Sequence, residues 1–209
     1  KKDEKYVKNE SKESDGRFSV GTPRTSDGQL LFLQHMISKM EPSGSRIGVV
    51  FNGSPMFTGD SGSGESEIRK WIIENDWLET IVQLPDRMFF NTGITTYLWI
   101  VTNKKPSNRK GKIQLIDGSE FYDHIKKNLG DKSKEINDTD KNKILKTYLN
   151  YEENEISKIF ENDYFCYTKV QIEQPLKKNG EVVKLKTGTP KPVTKLRDHE
   201  RIPFNVSIE

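Results

Sequence analysis

Residues 46–102 decide the fold, and they read RIGVVFNGSPMFTGDSGSGESEIRKWIIENDWLETIVQLPDRMFFNTGITTYLWIVT. The apolar run at residues 47–51 is bounded by turn residues, a pattern typical of a strand buried on both faces. A helix is predicted at residues 65–75, and a second apolar strand at residues 78–84. Strand, helix and strand at this spacing predict a βαβ unit with parallel strands, which belongs to an α/β sheet.

The next strand is predicted to run in the opposite direction. Only residues 85–93 separate the strand at residues 78–84 from the apolar run at residues 94–102. A parallel pair needs a crossover of about a dozen or more residues, so we expect an antiparallel neighbour here. Residues 112–117 then alternate apolar and polar side chains and predict another strand. The sequence therefore predicts a mixed sheet with one reversed strand.

Three segments are predicted along the chain. Residues 1–27 are polar and charged and are expected to form a loop, whereas residues 28–118 hold the predicted α/β domain. Residues 119–209 form an extension that ends in a Pro-rich tail. Its predicted elements are helices at residues 120–129, 138–150 and 152–162, a strand at residues 164–175, and a hairpin that turns at Asn179 and Gly180 and returns through residues 181–186.

Charge, cysteine content and hydropathy limit the partners and the compartment that can be expected. The net charge is +3, from 34 basic and 31 acidic residues, and this balance alone does not indicate a nucleic-acid-binding protein. Cys166 is the single cysteine, so no intrachain disulfide can form and a reducing cytoplasm is expected. No apolar run approaches the length of a membrane span, and we predict no membrane partner.

Other motifs in the chain carry little chemistry. The glycine-rich loop at residues 59–64 opens a predicted helix, where backbone amides can bind an anion. It lacks the lysine of a P-loop, and Asp60 and Glu65 oppose a phosphate, so a connecting loop is the favoured interpretation. The three histidines lie far apart in the sequence, without a second ligand at metal-binding spacing, so no metal site is predicted.

The turn at residues 89–93, FFNTG, places two adjacent aromatic residues and a polar turn just beyond a strand. Phenylalanines at a strand end commonly close a hydrophobic core, but both rings would then need apolar space on opposite sides of the chain. A ring at the lip of a sheet can instead stack on a nucleic-acid base, which contributes about 1–3 kcal/mol. The residues alone leave both interpretations open.

Four segments carry a resemblance, and together they span nearly the whole chain in the right order. They are DGRFSVGTPRTSDGQLLFLQHMISKM (residues 15–40), the stretch from RIGVVF to IVQLP (residues 46–85), MFFNTGITTYLWIVTNKK with GKIQLIDGS (residues 88–105 and 111–119), and the tail KLRDHERIPF (residues 195–204). In this order they resemble the C-terminal half of the modification (M) subunit of type I restriction-modification systems, an adenine-N6 DNA methyltransferase.

The resemblance implies a fold and a set of site residues. The fold is α/β, namely the distal half of a class I (Rossmann-like) methyltransferase sheet with a reversed strand, followed by a helical and β-hairpin extension. Phe90 matches the family's aromatic residue that faces a flipped adenine, and Asn91 and Thr92 would shape the base pocket. Alternation of side chains along a strand then predicts that Phe89 is the buried ring of the two.

A basic turn follows the reversed strand, and its side chains are candidate contacts to DNA phosphates. A solvated turn is an equal alternative, because phosphate contacts require a clustered surface. The four candidates are Lys104, Lys105, Arg109 and Lys110. The charged N-terminal loop is a further candidate for the same role.

The cofactor implied by the resemblance is S-adenosyl-L-methionine, whose site lies mostly in the preceding half of such a subunit. The family's catalytic Asn-Pro-Pro-Phe/Tyr motif is expected upstream of Lys1, because the nine prolines of this chain include no adjacent pair. We therefore expect no catalytic or cofactor-binding residue in the chain, and no activity from the chain alone. The implied partners are DNA and the specificity and restriction subunits, in a cytoplasmic hetero-oligomer.

An alternative from another class is an interaction module without a substrate site. In that interpretation the predicted helices at residues 120–162, the hairpin and the Pro-rich tail dock a restriction or specificity subunit. An Asn-Pro-Pro-Phe run directly before Lys1 in the longer reading frame would distinguish the two interpretations.

Overall fold

The computed structural model describes residues 2–203, without the side chains of residues 2, 171–173 and 194–203. The chain divides into two compact units, Lys1–Asn162 and Asp163–Glu209. The first unit contains the strands β1 (Arg46–Asn52), β2 (Leu78–Gln83), β3 (Thr96–Thr102), β4 (Lys112–Asp117), β5 (Asp123–Leu129), β6 (Lys132–Glu135) and β7 (Ser157–Glu161). Its helices are α1 (Lys2–Glu10), α2 (Gln29–Ile37), α3 (Ser54–Phe57), α4 (Gly64–Glu74) and α5 (Asp138–Asn150).

A five-stranded mixed sheet in the order β1-β3-β2-β4-β7 forms the centre of the first unit. The strand β3 lies between β1 and β2 and is antiparallel to both, which confirms the predicted reversed strand. The strands β1 and β2 are therefore parallel to each other, as expected of a βαβ unit, although β3 separates them. Because β4 is parallel to β2, the carboxyl ends of β1, β2 and β4 meet at one edge of the sheet, here called the carboxyl edge.

Large apolar side chains from the sheet and two helices form the core. Trp99 of β3 is almost completely buried, and the ring of Phe51 packs edge-on against it with the ring centroids 5.6 Å apart. The helix predicted at residues 65–75 is confirmed as α4, whose Ile68 and Ile72 are fully buried. The helix begins after Ser63, whose side chain accepts a hydrogen bond from the Ser66 amide and so caps the first turn.

The predicted burial of residues 47–51 on both faces is wrong. The strand β1 has one hydrogen-bonded neighbour among the described residues, so it lies at an edge of the sheet. Only Phe51 of this strand is fully buried, and Val50 is exposed. A continuous apolar run does not distinguish a central strand from an edge strand: β3 pairs with one side of β1, and none of the described strands pairs with its other side.

Two of the three helices predicted after residue 119 are wrong. Residues 120–129 include β5, which pairs with β6 as a hairpin, and residues 152–162 include β7, which pairs antiparallel with β4. The middle helix is confirmed as α5, and Asn137 caps it by accepting from the Asp140 amide at 2.8 Å. Because β7 completes the central sheet, the first compact unit continues to Asn162, past the predicted domain end at residue 118.

The N-terminal segment also differs from its prediction. Residues 1–27 were expected to form a loop, but α1 occupies the first part of this segment. A salt bridge of 2.8 Å between Glu4 and Lys8, one helical turn apart, supports this helix.

The second unit contains β8 (Tyr167–Pro175), β9 (Lys177–Lys178), β10 (Glu181–Val182) and β11 (Pro192–Pro203). The strands β9 and β10 pair across Asn179 and Gly180, whose φ angles of 53° and 86° confirm the predicted hairpin turn. The Pro-rich tail pairs as β11 with β8, and its last part, residues 204–209, lies outside the described residues. None of the described helices is long and apolar enough to cross a membrane.

Candidate functional site

The carboxyl edge of the sheet collects the segments that follow β1, β2 and β4. Residues 84–95 connect β2 to β3 there, and residues 53–63 and 118–122 leave the same edge after β1 and β4. In open α/β sheets, ligands bind outside the carboxyl ends of the strands. This edge is therefore where a substrate site is expected.

The turn at residues 89–93 lies at this edge as a tight reversal. Phe89 and Thr92 form an isolated antiparallel bridge, so Phe90 and Asn91 occupy the tip. Asn91 adopts a left-handed conformation with φ of 54°, which Asn tolerates better than most residues. The Thr92 hydroxyl accepts a hydrogen bond from the Ile94 amide at 3.4 Å. Asn91 and Thr92 thus form the turn that carries Phe90.

Both phenylalanine rings of this turn face solvent. The exposed fraction is 41% for Phe89 and 62% for Phe90, so Phe90 is the more exposed ring but Phe89 is not a core residue. The prediction that Phe89 is the more buried of the two rings is confirmed, but the expectation that it lies in the core is wrong, because residues 89–92 form a turn and strand alternation does not apply to them. Two exposed aromatic rings at a sheet edge are an apolar surface that can stack on a planar ligand.

A polar cluster that the sequence did not predict lies at the carboxyl end of β1. Gln29 of α2 donates from Nε2 to Asp27 Oδ1 and Asn52 Oδ1, both at 2.9 Å. The Asn52 amide in turn donates to Gln29 Oε1, and the Ser54 amide donates to Asn52 Oδ1. Polar residues directly after an apolar strand, here Asn52 to Ser54, were the signal that could have indicated this cluster.

Asp27 is held in its charged form within this cluster. Burial raises the pKa of Asp27, but hydrogen bonds from Ser54 and Gln29 and the nearby charge of Arg24 outweigh it, so the pKa lies below its ordinary value. The cavity bordered by Asp27, Ser54 and Glu65 measures about 10 Å³, which holds a single water.

The basic turn lies at the opposite end of β3, here called the amino edge. It follows Thr102, whereas the turn with Phe90 precedes Thr96, and β3 has seven residues. The strand rise therefore separates the two turns by about 20 Å. Among the candidate phosphate contacts, Lys104 and Lys110 are exposed, and the Lys104 ammonium donates to the Ser43 carbonyl at 2.9 Å.

The prediction that Lys105 and Arg109 contact phosphates is wrong, because only 7% and 5% of these residues are exposed. The Lys105 ammonium lies 2.5 Å from Asp76 Oδ1 and also donates to the Lys112 carbonyl. Arg109 lies 3.3 Å from Glu79, a fully buried carboxylate. Both cations neutralise carboxylates of their own fold and are inaccessible to DNA.

Aromatic rings complete the environment of Arg109. Its guanidinium lies 4.5 Å from the ring centroid of Tyr148 and 4.3 Å from that of Tyr151, both at the end of α5. The Tyr148 hydroxyl donates to Glu79 Oε1 at 2.9 Å, and burial together with this hydrogen bond raises the pKa of Tyr148. Arg109 therefore fastens α5 to the sheet.

Among the residues that the structure describes, no three His, Cys, Asp or Glu side chains lie close enough together to bind a metal ion.

Comparisons with known proteins identify the family. The family model described as "N-6 DNA Methylase" matches residues 2–187. The chain is 37% identical over 113 residues to the type I restriction enzyme HindI methylase subunit of Haemophilus influenzae, covering 54% of this chain and 24% of that protein. It is 31% identical over 128 residues to the MjaIX methylase subunit of Methanocaldococcus jannaschii, covering 59% of this chain and 22% of that protein.

Solved structures agree on the fold. The methyltransferase subunit of a type I restriction-modification system from Streptococcus thermophilus superposes with a TM-score of 0.61 at 26% identity, over 71% of this chain and 30% of that one. The expected Rossmann-like sheet is thereby confirmed. The chain spans less than a quarter of the length of the two methylase subunits above. On the match to its family model, over nearly its whole length, the chain belongs to the N-6 DNA methylase family.

Proposed function

We propose that this chain supplies the base-binding edge of an adenine-N6 DNA methyltransferase, the modification subunit of a type I restriction-modification system. Its relatives are named as methylase subunits of type I restriction enzymes. The observation that carries the proposal is the exposed ring of Phe90 at the tip of a tight turn on the carboxyl edge. An exposed ring at that edge has no role in the core and is available to a planar substrate.

In this proposal Phe90 stabilises an adenine that has left the duplex. Extruding a base costs a few kcal/mol, and stacking on an aromatic ring returns about 1–3 kcal/mol. Asn91 and Thr92 fix the turn that presents the ring and border the pocket. The left-handed Asn91 is important here, because it lets the chain reverse directly after Phe90.

In this proposal, other residues of the complete subunit bind the cofactor and the adenine amino group. S-adenosyl-L-methionine supplies the methyl group when bound. The chain contains no adjacent prolines, hence no Asn-Pro-Pro motif, and the cavity beside Asp27 accommodates only a water. We therefore expect the chain alone neither to methylate DNA nor to bind the cofactor.

The partners proposed for the complete subunit are DNA and the specificity and restriction subunits of the same system, in the cytoplasm. The alternative of a docking module rested on the predicted helices at residues 120–162, the hairpin and the Pro-rich tail. Two of its three helices are strands, and β7 belongs to the central sheet. The region is thus largely part of the sheet domain, and this favours the enzyme.

The test is methylation by the complete subunit, assembled with its specificity subunit, using tritiated S-adenosyl-L-methionine and DNA from a strain that lacks the system. Phe90→Ala is expected to lower kcat/KM about tenfold or more, because it removes stacking of about 1–3 kcal/mol. Phe90→Trp should retain most of the rate, because stacking requires a π face rather than one particular ring.

Leu149→Ala provides the matched control, because Leu149 has the same exposed fraction as Phe90, 62%, but lies on α5. It should leave methylation unchanged. Wild-type rates for folded Phe90→Ala would contradict the proposed role, and the absence of methyl transfer by the wild type would contradict the proposed reaction.

A further inference from the structure

The β5-β6 hairpin lies directly against the turn that carries Phe90. The backbone amides of Ser133 and Lys134 both donate to the Arg87 carbonyl, at 3.0 and 3.3 Å. At the hairpin tip, a Cβ placed on Gly130 would come within 2.8 Å of Asn91 Oδ1, so the Gly130 backbone touches the Asn91 side chain. The hairpin thus contacts both the start and the tip of the turn.

A charged anchor joins the two segments. The Lys134 ammonium lies 2.5 Å from Asp86 Oδ1 and 3.8 Å from the ring centroid of Tyr122, and the Lys134 side chain is only 14% exposed. The hydrogen bond between them lowers the pKa of Asp86 and raises that of Lys134, so both stay charged at neutral pH. Lys134 is therefore directed into the protein, away from solvent.

Within the turn, the contacts that hold the backbone are the bridge between Phe89 and Thr92 and the hydrogen bond from the Ile94 amide to the Thr92 hydroxyl. Arg87 and Asn91 both adopt left-handed conformations, with φ of 56° and 54°, which is unfavourable for Arg87 and tolerated by Asn91. The rings of Phe89 and Phe90 are exposed, so the turn gains little from burial. The β5-β6 hairpin adds support from outside the turn, through its contacts with Arg87 and Asn91.

We propose that Lys134 is a positioning residue, which acts through Asp86 and the β5-β6 hairpin to hold the turn so that Phe90 is presented to the extruded base. The proposal rests on the proposed function. A ring that is already in place loses less conformational freedom when a base stacks on it. Releasing the anchor should therefore lower the rate of methyl transfer and leave the affinity for DNA unchanged.

A direct contact between Lys134 and a DNA phosphate is the competing role, and the two roles predict different effects of Asp86→Asn. A positioning residue needs Asp86, so Asp86→Asn and Lys134→Met should impair catalysis alike. A phosphate contact does not need Asp86. In that case Asp86→Asn should leave kcat unchanged, and Lys134→Met should weaken DNA binding and reduce its salt dependence by about one ion.

The experiment compares Lys134→Met, Asp86→Asn and Lys134→Arg in the complete subunit assembled with its specificity subunit. We expect kcat to fall about five- to tenfold in the first two variants, because small displacements of a positioned group are costly. Lys134→Arg should restore most of the rate. Combining Lys134→Met with Phe90→Ala should lower kcat no further than Phe90→Ala alone, because Lys134 acts through that ring.

A matched control is Lys141→Met, which removes an ion pair of 2.7 Å with Asp138 on α5 and should leave kcat unchanged.

Amide hydrogen exchange of residues 86–93 provides a readout that does not depend on activity. Exchange should accelerate in Lys134→Met and Asp86→Asn, with the exchange of β2 and β3 unchanged. Unchanged exchange at residues 86–93 overturns the inference, as does a wild-type kcat in either variant when Phe90→Ala is impaired. If the wild type transfers no methyl group, the proposed function fails, and the exchange still decides whether the hairpin holds the turn.

Discussion

The two edges of the sheet place their conspicuous side chains in opposite ways. At the carboxyl edge, aromatic rings that are typical of a core face solvent, on a turn anchored by a neighbouring hairpin. At the amino edge, Lys105 and Arg109, which are typical of a surface, are buried against Asp76 and Glu79. The comparison shows that residue type indicated the wrong environment at both edges. The role of a side chain depends on the edge of the sheet at which it lies and on the partners that surround it there.

The largest expected effect concerns the amino edge, where Arg109 is interpreted as structural. Arg109→Met should lower the free energy of unfolding by about 3–5 kcal/mol, because among the described residues it leaves the buried Glu79 with the more exposed Arg46 as its ionic partner. Lys110→Ala, one residue away but exposed, should change it by less than about 0.5 kcal/mol. Urea denaturation measures both values. Equal effects of the two substitutions would contradict the claim that the buried Arg109 stabilises the fold more than the exposed Lys110 does.

A smaller effect is expected for Asp76→Asn. Burial raises the pKa of Asp76, but hydrogen bonds from Lys105, the Gly111 amide and Asn162 outweigh it, so the pKa lies below its ordinary value. Burial lowers the pKa of Lys105 despite this ion pair, so losing Asp76 would leave an ammonium poorly compensated. The substitution should cost about 2 kcal/mol at neutral pH, less than a fully buried pair would, because Asp76 is partly exposed.

The pH dependence of this effect has a definite sign. A carboxylate whose folded-state pKa is below its unfolded value stabilises the fold above about pH 4. The contribution disappears as the pH falls through the folded-state pKa. Urea unfolding of wild type and Asp76→Asn from pH 7 to pH 2 should therefore give stabilities that converge as the pH decreases. A constant difference over this range would show that the Asp76 charge does not contribute.

The smallest expected change in stability concerns the carboxyl edge. Phe89→Ala should lower the free energy of unfolding by about 1 kcal/mol, because a large part of its ring is already exposed. Phe51→Ala, which truncates a buried ring, should cost about 3–5 kcal/mol. Thermal and urea unfolding of the two variants compare them directly. If Phe89→Ala lowers the free energy of unfolding as much as Phe51→Ala does, Phe89 contributes to stability like a core residue.

The sequence predicted the parts of this fold that depend on local pattern and chain length. The short link at residues 85–93 required β3 to be antiparallel to β2, and Asn179 with Gly180 specified a hairpin turn. It did not predict β7, because Ile159 and Phe160 pair as a strand with β4, more than forty residues earlier. Pairing over that distance leaves no local signature.

The candidate site was only partly predictable for the same reason. The resemblance identified Phe90, and the structure places that residue at the carboxyl edge. The anchor between Asp86 and Lys134 joins residues far apart in sequence, and neither residue is unusual in its local context. Lys105 and Arg109 failed as predicted DNA contacts because their carboxylate partners, Asp76 and Glu79, precede them by a whole strand and turn.

The most direct test of the account locates the extruded base by crosslinking. The complete subunit, assembled with its specificity subunit, would be irradiated with a duplex in which 5-iodouracil replaces the adenine that the wild type methylates. Trypsin should then release the crosslink in the peptide of residues 88–104, with the attachment at Phe90. A crosslink at Phe89, or within the basic turn at residues 105–110, would contradict the assignment of the carboxyl edge and Phe90 as the base-binding site.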